Sequence, residues 1–188
     1  MREVPRPRPG LTFDFVLETP PLPPAGGPVK RRLAVRAVVF REGRLLLVHS
    51  RAVGDWKFPG GGVEALETPE RALAREVCEE TGYGFRKPVR LVGRFVERAA
   101  GRDLPGGLFE MESLYYRVSV TGAPGSTDLD DYERELGFEA RWVTVDQALQ
   151  DNRTLAASGR GDLPPWLTRE TRVLEWLASI GPNGPTGA

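Results

Sequence analysis

Cysteine and histidine are almost missing from this 188-residue chain, which has one of each, Cys78 and His49. A single thiol excludes an intrachain disulfide and any zinc site built from several thiolates. Long apolar runs are also missing. None approaches the roughly 18–20 residues that a membrane-crossing helix needs, so no membrane partner is expected. The opening residues Met1-Arg2-Glu3-Val4-Pro5 lead into prolines rather than an apolar stretch, which argues against a secretory signal and makes the cytoplasm the default location. An excess of one charge is absent too. Lysine plus arginine number 26 and aspartate plus glutamate 26, so nothing in the net charge calls for a stable nucleic-acid partner. What the chain does have is 22 glycines and 17 prolines, a sign of many turns and long loops. Its 40% hydrophobic and 28% charged content is that of a globular protein, and its length suits one domain with a real core.

The prolines crowd residues 1–31, which read as an arm with one strand-like stretch, Thr12 to Glu18, suited to a sheet edge. Pro20 to Pro24 reads as a stiff connector, with a polyproline ligand as the alternative. From Arg32 the texture changes, and residues 32–180 read as the main domain. Leu33 to Phe40 and Leu45 to Val48 are apolar runs around the turn Arg41-Glu42-Gly43-Arg44, a hairpin signal. A glycine-rich loop follows, Gly54 to Gly62, and then a helical period from Thr68 to Thr81. Arg90 to Val96, Leu108 to Val120 and Glu139 to Thr144 read as strands, Val145 to Gln150 as a short helix and Leu167 to Ile180 as an apolar-faced one. Thr127 to Glu135 reads as an acidic loop, and the tail 181–188 as a disordered end. This mixture is α/β or α+β.

The helix at 68–81 has clear punctuation. Thr68 is a good N-cap, Pro69 suits the first helical position, and Gly82 is a good stop. At roughly 100° per residue, Leu73, Ala74, Val77, Cys78 and Thr81 share an arc expected to face the core. Glu76, Glu79 and Glu80 share another arc, where like charges at this spacing repel. A hard divalent cation would relieve that repulsion, and Mg²⁺ prefers carboxylate oxygens. Taken alone, three glutamates leave open an ordinary solvated face.

The surroundings decide between these. Gly61, five residues, Glu67, seven residues, then Arg75-Glu76-Val77-Cys78-Glu79-Glu80-Thr81-Gly82-Tyr83 reproduces the Nudix box. Its seven fixed letters would coincide about once in 10⁸ start positions by chance. The chain therefore resembles a Nudix hydrolase, with Tyr83 standing where the family usually has an aliphatic residue. Trp56 to Gly61 also resembles the family's lead-in to the box. The resemblance implies an α/β/α sandwich with a mixed central sheet. It also implies hydrolysis of a diphosphate linkage in a nucleoside diphosphate joined to another group, with Mg²⁺ or Mn²⁺ as cofactor. Glu76, Glu79, Glu80 and the Gly60 carbonyl would hold the metal, Arg75 would orient the glutamates, and Glu67 would brace the loop through Arg75. Gly61 and Gly82 are the structural glycines of the box. The general base would be Glu79 or Glu80 from the box, or a glutamate of the later loop, Glu135 or Glu133. A catalytically silent nucleotide sensor or scaffold is the alternative; such domains often lose box glutamates, and this box keeps all of them.

Weaker signals surround the box. Trp56, Phe58 and Tyr116 offer faces for stacking on a base, with core packing as the competing reading. Arg51 is a candidate phosphate contact. His49 reads as a strand-end residue, and Cys78 as packed inward. Secondary signatures that mark family subgroups for ADP-ribose, dinucleoside polyphosphates, NADH or coenzyme A are missing, so the substrate stays open among nucleotide compounds. The arm's edge strand admits a swapped or extended-sheet homodimer.

Overall fold

A computed structural model describes residues 10–181, without the side chains of residues 87 and 88. The first proline cluster and the end of the tail, for which disorder was expected, lie outside the described residues. Strand β1 (Phe13–Glu18) is the arm's strand, and it lies parallel to β6 (Gly84–Ala100) at a sheet edge. β2 (Val29–Val38) forms the opposite edge, parallel to β7 (Leu108–Thr121), and the antiparallel pair β6–β7 fills the middle. A boundary drawn between 31 and 32 falls inside β2.

A second sheet is built around β4 (Arg44–Ser50), which pairs antiparallel with β3 (Phe40–Arg41), β5 (Trp56–Lys57) and β8 (Phe138–Val143). The β3–β4 hairpin turns through Glu42 and Gly43, both at positive φ, as a two-residue turn between right-twisted strands requires.

Helices cover both sides, giving the α/β/α arrangement. Helix α1 (Pro69–Thr81) packs with one core cluster, in which Val35, Ala37, Leu46, Leu73 and Val77 are buried. Helices α3 (Val145–Ala156) and α4 (Leu167–Ile180) pack with the other, around Phe58, Phe95, Tyr115, Leu149, Val173 and Leu174. Full burial of each such aliphatic side chain is worth about 1.5–3 kcal/mol. Several expectations need extension, among them the short helix placed at Val145–Gln150, which continues as α3 to Ala156. The strand placed at Arg90–Val96 runs over 17 residues, with register shifts between Arg86 and Arg90 and between Leu91 and Gly93. The acidic loop contains a short helix, α2 (Asp131–Leu136), closed by a capping box between Asp130 and Glu133.

Helix α1 begins and ends where its residues indicate. The Thr68 hydroxyl accepts from Arg71 N–H, and Gly82 closes the helix in the left-handed conformation. Its roll differs from the expected one. Ala72, Leu73, Val77, Glu80 and Thr81 are buried, whereas Ala74 and Cys78 are exposed. Cys78 therefore does not pack inward. The helix is turned toward Glu80 because that carboxylate finds an ammonium and a backbone N–H inside, a pairing that an arc drawn from apolar residues ignores.

Just before α1, Leu66 is fully exposed and sits at φ 66°. A left-handed leucine holds its Cβ close to the following carbonyl, and no burial compensates that strain. Leu66→Gly is expected to raise unfolding stability by about 0.5–1 kcal/mol in urea denaturation. Unchanged or lowered stability would contradict this account of the turn.

Candidate active site

The glycine loop and the inner edge of α1 meet along β2. Residues 59–63 run beside that strand: Ala37 N–H donates to Pro59 O at 2.8 Å, Val35 N–H to Gly61 O at 2.9 Å, and Val63 N–H to Leu33 O at 2.9 Å. Gly60 has φ 140°, and a Cβ there would lie 2.0 Å from Val35 O, so only glycine fits. A Cβ on Gly61 would fall 2.4 Å from both Glu76 carboxylate oxygens. The bare backbone is what lets that carboxylate lie against the loop.

Arg75 gathers the charges on one side. Its Nε and Nη2 donate to the two oxygens of Glu67 at 3.1 and 3.0 Å, and Nη2 also reaches Gly62 O at 3.1 Å. Its Nη1 donates to Glu76 at 2.8 Å and to Glu79 at 3.2 Å. The guanidinium holds Glu67 below the usual carboxylate range and is itself pushed up by its carboxylate partners, Glu67 first. Glu76 is shifted the other way, upward, by burial and then by the neighbouring charge of Glu80.

Lys57 gathers the charges on the other side. Its ammonium lies 2.6 Å from Glu80, which also accepts from Gly60 N–H at 2.8 Å. Glu133 of α2 stands 4.0 Å from the same ammonium, which lies 4.4 Å from the centre of the Phe138 ring. Burial, with Glu80 close by, pushes the Glu133 carboxyl up to about 7, while Lys57 pulls it down.

The other expected site residues are placed as follows. Glu135 is exposed and lines an open groove with Arg51, Arg134 and Gly137, whereas Glu133 faces Lys57 and Glu80. Arg51 pairs with Glu139 at 3.0 Å in that groove. Trp56 and Phe58 are buried, 6% and 0% exposed, so their faces are not open to a base. Trp56 N–H and C=O are bonded to the Asn152 side chain, and its indole donates to Asp151 at 2.9 Å. Tyr116 is buried in the α1-side core. His49 lies at its strand's end with its ring 4.5 Å from that of Trp56, and desolvation lowers its pKa.

Sequence reasoning missed Lys57, Arg36 and Glu170. The signals were present: a lysine inside the lead-in to the box, an arginine in the middle of an apolar strand, and an Arg169-Glu170 pair in an otherwise apolar-faced helix. Arg36 Nη1 donates to Gly60 O, and Phe58 N–H donates to Glu170 at 3.2 Å.

The donors at hand are carboxylate and carbonyl oxygens, a hard set that suits a divalent cation such as Mg²⁺ or Mn²⁺. Among the described residues no three acidic, histidine or cysteine side chains converge on one point; Glu76 and Glu79 are turned to Arg75, and Glu80 to Lys57. Glu76 nonetheless lies half-buried against the Gly61 backbone, where both of its oxygens meet the position of the missing Cβ, with Glu80 close enough to raise its pKa further. The residues present fit such a cation.

Comparison with known proteins identifies the family. The NUDIX domain model matches residues 30–167, more than half of the chain, so the chain belongs to the Nudix family. It is 49% identical over 59 residues to a MutT-like protein of Streptomyces ambofaciens, covering 31% of this chain and 38% of that one. It is 34% identical over 113 residues to diphosphoinositol polyphosphate phosphohydrolase 2 of Rattus norvegicus, covering 58% of this chain and 55% of that one. These two relatives are thus spanned over less than two thirds of their own length. An RNA pyrophosphohydrolase of Alkalilimnicola ehrlichii is 29% identical over 161 residues, 72% of this chain and 84% of that one. Among solved structures, a Nudix hydrolase from Nitrosomonas europaea superposes with TM-score 0.52 at 24% identity, over 77% of this chain and 90% of that one, which supports the fold. No helix among the described residues is long and apolar enough to cross a membrane.

In metal-free protein the Glu133 carboxyl is expected to titrate near 7, read from its side-chain carbonyl carbon by NMR, and Lys57→Met is expected to raise that midpoint further. Because folding raises this acid's pKa, its contribution to stability is present below about 4.5 and is lost as pH climbs through about 7. A midpoint at the ordinary glutamate value would contradict the burial of Glu133 and its placement beside Glu80.

Proposed function

We propose that this chain is a hydrolase that cleaves a diphosphate linkage in a nucleoside diphosphate joined to another moiety, by attack of water on phosphorus. The observation that carries the reading is the placing of Glu76 against the bare backbone of Gly61 and of Glu80 on Gly60 N–H, with Glu79 one turn along on Arg75. The relatives' names support it, since two of them are a pyrophosphohydrolase and a phosphohydrolase.

In this reading Glu76, Glu79, Glu80 and the Gly60 carbonyl hold Mg²⁺ or Mn²⁺. Once bound, the cation neutralises phosphate oxygens and acidifies water. Arg75 positions the glutamates: it bridges Glu67, Glu76, Glu79 and the Gly62 carbonyl, so the loop and the helix move as one unit. For the proton of the attacking water, the box supplies Glu79 and Glu80, and the later loop supplies Glu133. Of the two loop glutamates the proposal takes Glu133, because Glu135 points into the exposed groove with Arg51. Burial and Glu80 hold the Glu133 carboxyl high in the metal-free protein, and a cation on Glu80 would draw it down toward the carboxylate that accepts a proton. Lys57 lies between Glu80 and Glu133 and keeps both carboxylates in place. The buried Trp56 and Phe58 shape the loop from below and take no part in base stacking. Arg51 stays a candidate for a distal phosphate, competing with its pair to Glu139.

The test is a panel of nucleoside diphosphate compounds, with capped RNA and inositol diphosphates included, incubated with Mg²⁺ or Mn²⁺ and resolved by chromatography. Hydrolysis between two phosphates is expected, and Glu79→Gln is expected to lower it by at least about 100-fold with the fold intact. Full activity in Glu79→Gln would overturn the assignment of that residue. Tight nucleotide binding with no phosphate bond broken would replace the enzyme by a sensor.

A further inference from the structure

Gly60 is held at both of its backbone polar groups, which belong to the two peptide units that meet at its Cα. Its N–H donates to the buried Glu80 carboxylate at 2.8 Å, and its C=O accepts from Arg36 Nη1. The first partner belongs to the box. The second does not, and it leads away from the site into a buried set of charges between β2 and α4.

Arg36 is 8% exposed on β2, and its Nε lies 4.0 Å from Glu170 of α4. Glu170, fully buried, accepts from Arg169 Nε and Nη2 at 3.0 and 2.8 Å and from Phe58 N–H at 3.2 Å. Arg169 also reaches Glu97 on β6. Two peptides of the glycine loop, at Phe58 and Gly60, are thereby tied to a charge set on the side opposite α1.

Stability alone does not account for this arrangement. Burying ions is costly, and replacing a buried ion pair by apolar side chains of similar volume is often neutral or stabilising. The guanidinium of Arg36 is incompletely satisfied as well: it is buried, and its Nε has no hydrogen-bond partner among the described residues. Its orientation follows the Gly60 carbonyl. Partners of this kind, one step behind the reacting groups, orient the groups that bind substrate or metal.

We propose that Arg36, with Glu170 and Arg169 behind it, is a positioning device that fixes the Gly60 carbonyl and, through the Gly60 backbone and the neighbouring peptide's N–H, the Glu80 carboxylate. The inference deepens the hydrolase reading and rests on it for its catalytic consequence, but the clamp itself is testable without catalysis. Arg36→Met removes the donor to Gly60 O and leaves Glu170 hydrogen-bonded to Arg169, which Glu97 also shares, so Glu170 keeps its nearest cation.

Amide exchange is measured by NMR on the full, metal-free chain, alongside Mn²⁺ affinity by electron paramagnetic resonance and kcat and KM on the best substrate of the panel. In Arg36→Met, exchange at Phe58 and Gly60 is expected to accelerate at least tenfold, with Val77 in α1 and Leu47 in β4 unchanged. Mn²⁺ affinity and kcat are each expected to fall about 10–100-fold, with KM within about threefold of the parent. Arg36→Lys, which keeps a charge and a donor, is expected to recover part of both losses. Uniformly faster exchange with parental Mn²⁺ affinity would show a merely structural role and overturn the proposal. If Arg36→Met fails to fold, Glu170→Gln carries the same measurements, and parental exchange and affinity there overturn it equally. A parent chain that hydrolyses nothing sinks the functional reading, whereas local loosening at Phe58 and Gly60 still establishes the clamp.

Discussion

The structure around the site depends on one electrostatic constraint, the accommodation of several carboxylates beside a loop whose glycines at 60–62 offer only backbone and whose one cation is Lys57. Glu76, Glu79 and Glu80 share one stretch of α1, and Glu67 and Glu133 approach from either side. Arg75 and Lys57 divide the compensation between them, Arg75 taking Glu67, Glu76 and Glu79 and Lys57 taking Glu80 and Glu133. The roll of α1 follows from this. A helix packed by its apolar residues alone would turn Ala74 and Cys78 inward, yet the observed helix buries Glu80 because its two partners wait on the loop side.

The same constraint reaches into both faces of the molecule. Toward α1 the loop is fixed by carboxylates, and toward α4 by a guanidinium and a glutamate that accept or donate to its peptide groups. On the side of α2 the ammonium of Lys57 faces Phe138 and, farther off, Trp166, whose indole donates to the buried Asp55 at 2.7 Å. An aromatic wall and two acids thus fix one cation, and α2 is the element that brings Glu133 to it.

Much of this was legible in the residues because local chemistry dictates it. Thr68, Pro69 and Gly82 mark the ends of α1 through capping, and the structure obeys them. The spacing of Gly61, Glu67 and the glutamates of α1 is itself the family's signature. Other features depended on tertiary partners and left only faint marks. Arg36 lies in a strand whose apolar neighbours hide the one charge that matters. Glu170 looked like a polar position on an apolar-faced helix, although it is fully buried. α2 was read as loop because its six residues carry charge rather than period, and the capping box from Asp130 to Glu133 was the signal available. The choice between Glu133 and Glu135 turned on which side of one short turn of helix each occupies, which needs the placement of Lys57. The aromatic residues Trp56 and Phe58 were ambiguous for a similar reason, since burial depends on α3 and α4, distant in the chain.

The most direct test of the central claim is an anomalous diffraction map from crystals of the protein soaked in manganese. The account expects a peak bound by carboxylate oxygens of the α1 glutamates beside the Gly60 and Gly61 backbone. A map with no peak there, while Glu76 and Glu79 stay on Arg75 and Glu80 stays on Lys57, would contradict it.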